Sequence, residues 1–159
     1  MNSKFYDDVY ERFALVFHHI GSWDEEEKML HVMVHERTTK VGSDHPSTLT
    51  SIGSLASTYW NQGRWDEAEK LEVDVMNAFK TKLGSDHPST LISMANLAST
   101  YRNQGRWDEA EKLQMGMVNT GKVTKLVSDH PDTTANTFSL ETVCRNEGRL
   151  NEAEKLKLM

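Results

Sequence analysis

The stretch "PSTLTSIGSLASTYWNQGRWDEAEKL" at residues 46–71 decides the fold, because it returns almost unchanged as "PSTLISMANLASTYRNQGRWDEAEKL" at residues 88–113, 42 residues later. Trp65 has a counterpart 42 residues earlier, Trp23. Gly105, in the second of these stretches, has a counterpart 43 residues later, Gly148. Self-similarity at such a period is typical of repeat architectures. We therefore expect a single domain, 1–159, made of four copies, of which the first and last are degenerate and the last is truncated: 1–41, 42–83, 84–127 and 128–159.

The composition excludes several classes of protein. The chain has 159 residues and a formal net charge of -6, so it lacks the basic surface that binding to nucleic acid or to anionic membranes requires. Its single cysteine, Cys144, excludes an internal disulfide framework. No apolar run approaches the roughly 20 residues of a spanning helix, and the stretch "MNSKFYDDVYERF" lacks the apolar segment of a signal peptide. We expect a cytoplasmic protein with neither nucleic acid nor membrane among its partners.

Apolar residues follow helical spacing within each copy. In the second copy, two series recur at intervals of mostly three and four residues on either side of "NQGR": Leu49, Ile52, Leu55, Ala56 and Tyr59, then Trp65, Ala68, Leu71 and Val75. Each copy is therefore predicted to be a helix pair. Because neither helix can bury its apolar face alone, the copies are expected to stack into a solenoid whose core forms between neighbours.

The residues around the predicted helix ends support these boundaries. Pro46 is expected at the first helical position, with His45 held outside helical dihedrals by the proline that follows it. The side chain of Asp44 or Ser47 is then expected to bond the free amides of the first turn. Gly63 is expected to end the first helix, and two acidic residues in the first turn of the next helix complement its dipole.

A fixed alternation of small and large residues carries a family resemblance. Its members in the second copy are Ile52, Leu55, Ala56, Tyr59, Gly63, Trp65 and Ala68. This pattern resembles the tetratricopeptide repeat, and the wording "NLASTYRNQGRWDEAEKL" is similar to the 42-residue, kinesin-light-chain-like type found in fungal NLR-like receptor arrays. The resemblance implies an all-α fold, a right-handed α-solenoid of stacked antiparallel helix pairs, which binds proteins and has no catalytic activity and no cofactor. A HEAT-like helical array, whose period overlaps, is the alternative architecture.

Several residues depart from the family pattern. Glu26 replaces the small alanine in the first copy, and Glu141 and Cys144 replace Ala and Tyr in the last. Glu72 and Gln114 stand where the 34-residue consensus has an aromatic residue. These departures indicate that the two end copies are caps or worn repeats.

The candidates for catalytic or metal-binding chemistry favour structural roles. His45, His87 and His130 occur once per copy, and helix pairs stacked about 8–10 Å apart cannot bring equivalent histidines onto one ion. His18 and His19 are adjacent and so lie on different parts of a helical face. The carboxylates of "WDEAEK" recur at exposed helix starts, and Cys144 replaces a packing tyrosine. We therefore expect no metal site, no catalytic residue and no enzyme.

The differences between the two best copies point to a binding surface. Residues 42–71 and 84–113 differ at five positions, all on the first helix: Thr50/Ile92, Ile52/Met94, Gly53/Ala95, Ser54/Asn96 and Trp60/Arg102. By resemblance, first helices line a concave groove. The predicted groove residues are Thr50, Gly53, Ser57, Trp60, Asn61, Ile92, Ala95, Ser99, Arg102, Asn103, Phe138, Arg145 and Asn146. Free drift of exposed positions is the alternative explanation.

The predicted groove favours a protein or peptide partner that is acidic and has apolar anchors. One column of side chains contains Trp60, Arg102 and Arg145, which suit aromatic, aliphatic and acidic groups. The next column contains amides that can bond an extended main chain, although Asn is also common before a helix-ending glycine. The alternatives are a structural or self-association module, acting through the terminal repeats as a homo-oligomer or as a fragment of a larger NLR-like receptor, and an enzyme on a helical-repeat scaffold.

Overall fold

The computed structural model describes residues 3–118, with side chains from 9 to 117, and this part of the chain is all-α. Its six helices are α1 (Ser3–Ile20), α2 (Trp23–Val41), α3 (Pro46–Asn61), α4 (Trp65–Leu83), α5 (Pro88–Asn103) and α6 (Trp107–Val118). The prediction of an all-α helical repeat solenoid is confirmed. The chain divides into two compact units, Met1–Ala78 and Phe79–Met159. The expectations for His130, Phe138, Glu141, Cys144, Arg145 and Asn146 lie outside the described residues.

In the first three copies the first helix ends in the same way, at a glycine in the left-handed region. Gly63 has a φ of 76°, and its N–H donates to the carbonyl of Trp60 at 3.0 Å. The next N–H, that of Arg64, reaches back to the carbonyl of Tyr59 at 2.9 Å. This pair of bonds is the Schellman motif, which needs a residue without a Cβ at its turning point. The prediction that Gly63 ends the helix is confirmed, and the same bonds recur at Gly21 and Gly105.

A histidine caps the start of the first helix in the second and third copies. His45 has extended dihedrals, φ −68° and ψ 140°, before Pro46 in the first turn, as predicted. Its Nδ1 accepts the N–H of Ser47 at 3.2 Å, and His87 accepts the N–H of Ser89 at 3.1 Å. The Ser47 amide is therefore bonded by His45 and not by Asp44 or Ser47, the two residues expected to bond the first-turn amides. The imidazole Nδ1 lies as far from Cβ as an Asp carboxylate oxygen does, so an extended His45 backbone brings it onto the same first-turn amide.

The core of the first unit forms between helices of neighbouring copies. The buried residues Ala14, Leu30, Met33, Leu55, Tyr59 and Ala68 form one cluster that joins α1, α2, α3 and α4. This packing agrees with the prediction that no helix buries its apolar face alone. Trp65 is the exception within the second predicted series, since 38% of it is exposed while Ala68 is fully buried. As the first residue of α4, Trp65 lies at the edge of the packed layer.

In the second unit, α5 packs against α6 through apolar side chains, as the helices of the first unit do. Leu91, Leu97, Ala98, Ala110 and Met117 are buried. A Cβ added to Gly116 would lie 3.3 Å from Cε of Met94, so this glycine allows a close approach between the two helices. Gly116 therefore lies at a close contact between α5 and α6.

Candidate interaction surface

In the first unit, the predicted groove residues range from exposed to half-buried. Thr50 is exposed, and Gly53, Ser57, Trp60 and Asn61 are partly buried. The Thr50 hydroxyl donates to the carbonyl of Pro46 at 2.9 Å, and the Ser57 hydroxyl donates to that of Gly53 at 3.1 Å. Both hydroxyl oxygens keep acceptor capacity toward a partner's N–H groups.

Trp60 has a partly structural role that the sequence did not indicate. Its ring packs against the core cluster of the first unit. The Nε1 atom is buried and has no hydrogen-bond partner among the described residues. Trp60 therefore contributes to the packing of the core as well as belonging to the predicted groove.

In the second unit, one predicted groove residue is wrongly assigned. Ile92, Ser99 and Arg102 are partly buried and Asn103 is exposed, but Ala95 has only 1% of its surface exposed. Ala95 therefore does not offer a side chain to a partner.

Arg102 differs in its electrostatics from two other arginines, Arg64 and Arg106. Burial lowers the pKa of the Arg102 guanidinium, and no carboxylate of the described residues forms an ion pair with it. Arg64 instead bonds Glu67 at 2.7 Å, and Arg106 bonds Glu109 at 2.6 Å. Arg102 is thus a partly desolvated cation without a countercharge in the described part of the chain.

The arginines that follow the helix-ending glycines build the corners between helices. The Arg64 guanidinium lies 4.1 Å from the centre of the Tyr59 ring, and Arg106 lies at the same distance over Tyr101. Arg64 also reaches Glu27 of α2 at 2.9 Å. The Arg64 hydrogen bond lowers the pKa of Glu67. The carboxylate Glu67 of the repeated "WDEAEK" therefore forms a structural ion pair.

Glu26, which stands where the family pattern has a small alanine, has a side-chain partner on α1. Only 5% of Glu26 is exposed, and its carboxylate lies 3.1 Å from Nδ1 of His18. Burial raises the pKa of Glu26, and the charge of His18 opposes that rise. The His18 ring also packs edge-on against Trp23, with centroids 5.2 Å apart. The sequence contains a sign of this contact, because His18 and Glu26 both differ from the residues at the same positions of the other copies.

The two adjacent histidines have different hydrogen-bond partners. Nδ1 of His19 lies 2.8 Å from the carbonyl of Leu15 in its own helix, whereas His18 contacts Glu26. Within residues 9–117, no three His, Cys, Asp or Glu side chains are grouped so that they would hold a metal ion. None of the described helices has the length and apolar character needed to cross a membrane.

Comparisons with known proteins agree with this architecture. The tetratricopeptide repeat family model matches residues 55–115. A Podosopora anserina protein of kinesin-light-chain type with nearly identical TPR-like repeats shares 30% identity, with 94% of this chain and 70% of that chain covered and a TM-score of 0.70. A variant of that protein shares 29% identity over 98% of this chain and 73% of its own, with a TM-score of 0.73.

A more distant structure shares the fold alone. BtubC (BKLC) from P. vanneervenii is 12% identical, with a TM-score of 0.68 over 94% of this chain and 64% of its own. A search of curated protein sequences gives no match. The chain belongs to the tetratricopeptide repeat family, in its kinesin-light-chain-like form. Proteins built on this fold are interaction scaffolds, and the coarse function that follows is protein binding.

Proposed function

We propose that this protein binds an extended, acidic segment of a partner protein along the first helices of its repeats, with Arg102 as the anchor for a carboxylate. The observation that carries this proposal is the partly buried Arg102 guanidinium, which has no carboxylate partner within residues 9–117. A carboxylate from a partner would supply the missing charge, and hydrogen bonds to charged groups typically stabilise by about 1.5–3 kcal/mol.

The register of the repeats supports this role for Arg102. His18 and Trp60 stand at the equivalent position in the first and second copies. His18 contacts Glu26, and Trp60 packs against the core cluster, so both are engaged within the first unit. Arg102 has replaced a residue of internal packing with a charge that no described side chain neutralises. Such a change suits a role toward an outside partner.

Asn61 and Asn103 support binding to an extended main chain. Each is the last residue of its first helix, and each is at least partly exposed. Side-chain amides carry both donors and acceptors, so they can bond a peptide backbone irrespective of its sequence. Phe138, Arg145 and Asn146 remain predicted extensions of this surface, whereas Ala95 is no longer included.

Substitution of Arg102 tests the proposal directly. An array of short peptides that differ in net charge identifies an acidic probe, whose affinity is then measured by titration against the full chain. Arg102→Ala is expected to weaken binding about tenfold, since the loss of one charge-assisted hydrogen bond corresponds to about 1.4 kcal/mol or more. Arg102→Lys should retain part of the affinity, because the charge stays while the bidentate geometry is lost.

Lys112→Ala is the matched control, because it removes an exposed positive charge from the second helix of the same copy. Its affinity for the acidic probe should stay within about twofold of the wild type, since exposed charges contribute little. Equal losses in both variants would show a general charge effect, and an unchanged affinity in Arg102→Ala would remove the proposed anchor.

A further inference from the structure

An apolar stripe on α1 remains open in the described structure. It consists of Phe13, Val16, Phe17 and Ile20, which recur at helical spacing on one face of the helix. Three of the four are more than half exposed, and Val16 has 54% of its surface exposed. The rings of Phe13 and Phe17 lie 6.4 Å apart. A patch of this kind on a soluble protein marks an interaction site.

In the second copy, the equivalent face of α3 is covered by another helix. The residues 42 positions later are Leu55, Thr58 and Tyr59 on α3, all buried, and Gln62, which directly follows that helix. There the second helix of the preceding copy, α2, covers the face, and Leu30 and Met33 belong to the same cluster. The face on α1 is thus built to receive one helix.

Polar contacts make the α3 face specific for a second helix of this repeat. Gln62 donates to Glu27 at 3.0 Å, Arg64 donates to the same carboxylate at 2.9 Å, and the Tyr59 hydroxyl lies 3.2 Å from Nε2 of His31. The sequence has Glu at the Glu27 register in all four copies, at positions 27, 69, 111 and 154.

The α1 stripe lacks every one of these polar partners. Phe17, Ile20 and Ser22 stand where the next copy has Tyr59, Gln62 and Arg64. A second helix of the repeat docked on α1 would therefore leave its glutamate without the amide and guanidinium contacts that Glu27 has in the next copy. The α1 stripe therefore does not suit the second helices of this chain. It suits an apolar surface that brings no carboxylate into the contact.

We infer that the occupant is the α1 stripe of a second copy of this chain, in an antiparallel two-fold dimer. A two-fold axis between Val16 and Phe17 pairs Phe13 of one copy with Ile20 of the other, and Val16 with Phe17. Each copy supplies the same self-complementary surface, as an isologous interface requires. This interface is distinct from the proposed peptide-binding surface and does not depend on it.

Sedimentation equilibrium of the full chain tests the dimer. Because a single helix face buries little area, the interface is weak, and the measurement covers about 10 μM to about 1 mM. The wild type is expected to dimerise over this range. Val16→Glu is expected to raise the dissociation constant at least about tenfold, because it places a carboxylate in the apolar contact.

Leu15→Glu is the matched control. Leu15 lies next to Val16 on the same helix and is exposed to a similar extent, 57%, but helical spacing places it off the stripe. Its dissociation constant should equal that of the wild type. A wild type that stays monomeric overturns the inference, as does a dimer that Val16→Glu leaves intact or that Leu15→Glu weakens equally.

A complementary pair of variants tests the register. Phe13→Glu and Ile20→Lys should each weaken dimerisation alone, whereas a mixture should form a heterodimer in which the new carboxylate faces the new ammonium group. Circular dichroism establishes that each variant is folded. Failure of the mixture to recover dimers, with both chains folded, would exclude the proposed antiparallel pairing.

Discussion

The first and second copies handle the same buried position in opposite ways. In the first copy it holds Glu26, which contacts His18 across the helix pair. In the second copy it holds Ala68, which is fully buried, and the position of His18 is taken by Trp60. The comparison teaches that two changes in register compensate each other: at this position the core contains a carboxylate in the copy that also has a histidine to contact it.

The largest effect is expected when the carboxylate is placed in the second copy without its histidine. Ala68→Glu would bury a charge beside Trp60 and overfill a packed site, so we expect a loss of about 3–5 kcal/mol in the free energy of unfolding. Urea denaturation at neutral pH measures this loss. Lys70→Glu, at an exposed position of the same helix, should change stability by less than about 1 kcal/mol.

Transplanting both members of the pair sharpens the comparison. The double variant Trp60→His with Ala68→Glu should lose at least about 1 kcal/mol less than the sum of its two single variants, because the histidine supplies the partner that the carboxylate needs. Strict additivity would show that the two positions do not compensate each other.

A smaller effect is expected when the histidine is removed from the first copy. His18→Ala removes the histidine partner of the buried Glu26 carboxylate and leaves it the hydrogen bond of Thr58, so we expect a loss of about 1–3 kcal/mol in the free energy of unfolding. His19→Ala is the matched control, because His19 is exposed and its Nδ1 lies near a carbonyl of its own helix and not near Glu26. Its effect should stay within about 0.5 kcal/mol, and equal losses would refute the special role of His18.

The smallest effect is a dependence on pH. Burial raises the pKa of Glu26 above its usual value of 4.5, so the folded chain holds a proton that the unfolded chain releases as the pH rises past that value. Glu26 therefore reduces stability progressively as pH rises through this window. Relative to the wild type, Glu26→Gln should gain stability from pH 4 to pH 7. A difference that stays constant over this range would contradict the raised pKa.

Much of the fold could be predicted from the sequence because it depends on local chemistry repeated at a fixed period. Pro46 and Gly63 mark helix ends through backbone preferences that hold in any context. Trp65 could not be placed correctly, since spacing shows which face a residue occupies but not where the neighbouring layer ends. The capping role of His45 was missed because a histidine ring is an uncommon substitute for Asp or Ser.

The candidate site was less predictable because its properties depend on what surrounds each side chain. Register identified Arg102 as a position where the copies differ, but its lack of a partner among the described residues appears only in the structure. Ala95 and Gly53 occupy equivalent positions in their copies, but Gly53 is partly exposed and Ala95 is buried. The pairing of His18 with Glu26 follows from two departures that had no evident connection along the chain.

The histidine caps make the corners of the second and third copies spectroscopic reporters of their own folding. Because Nδ1 of His45 accepts a backbone N–H, the ring hydrogen of the neutral imidazole must reside on Nε2. Nitrogen NMR distinguishes this tautomer from the exchanging mixture of an unfolded chain. The rings of His45 and His87 would then record, without any attached fluorophore, whether the second and third copies unfold together or one at a time.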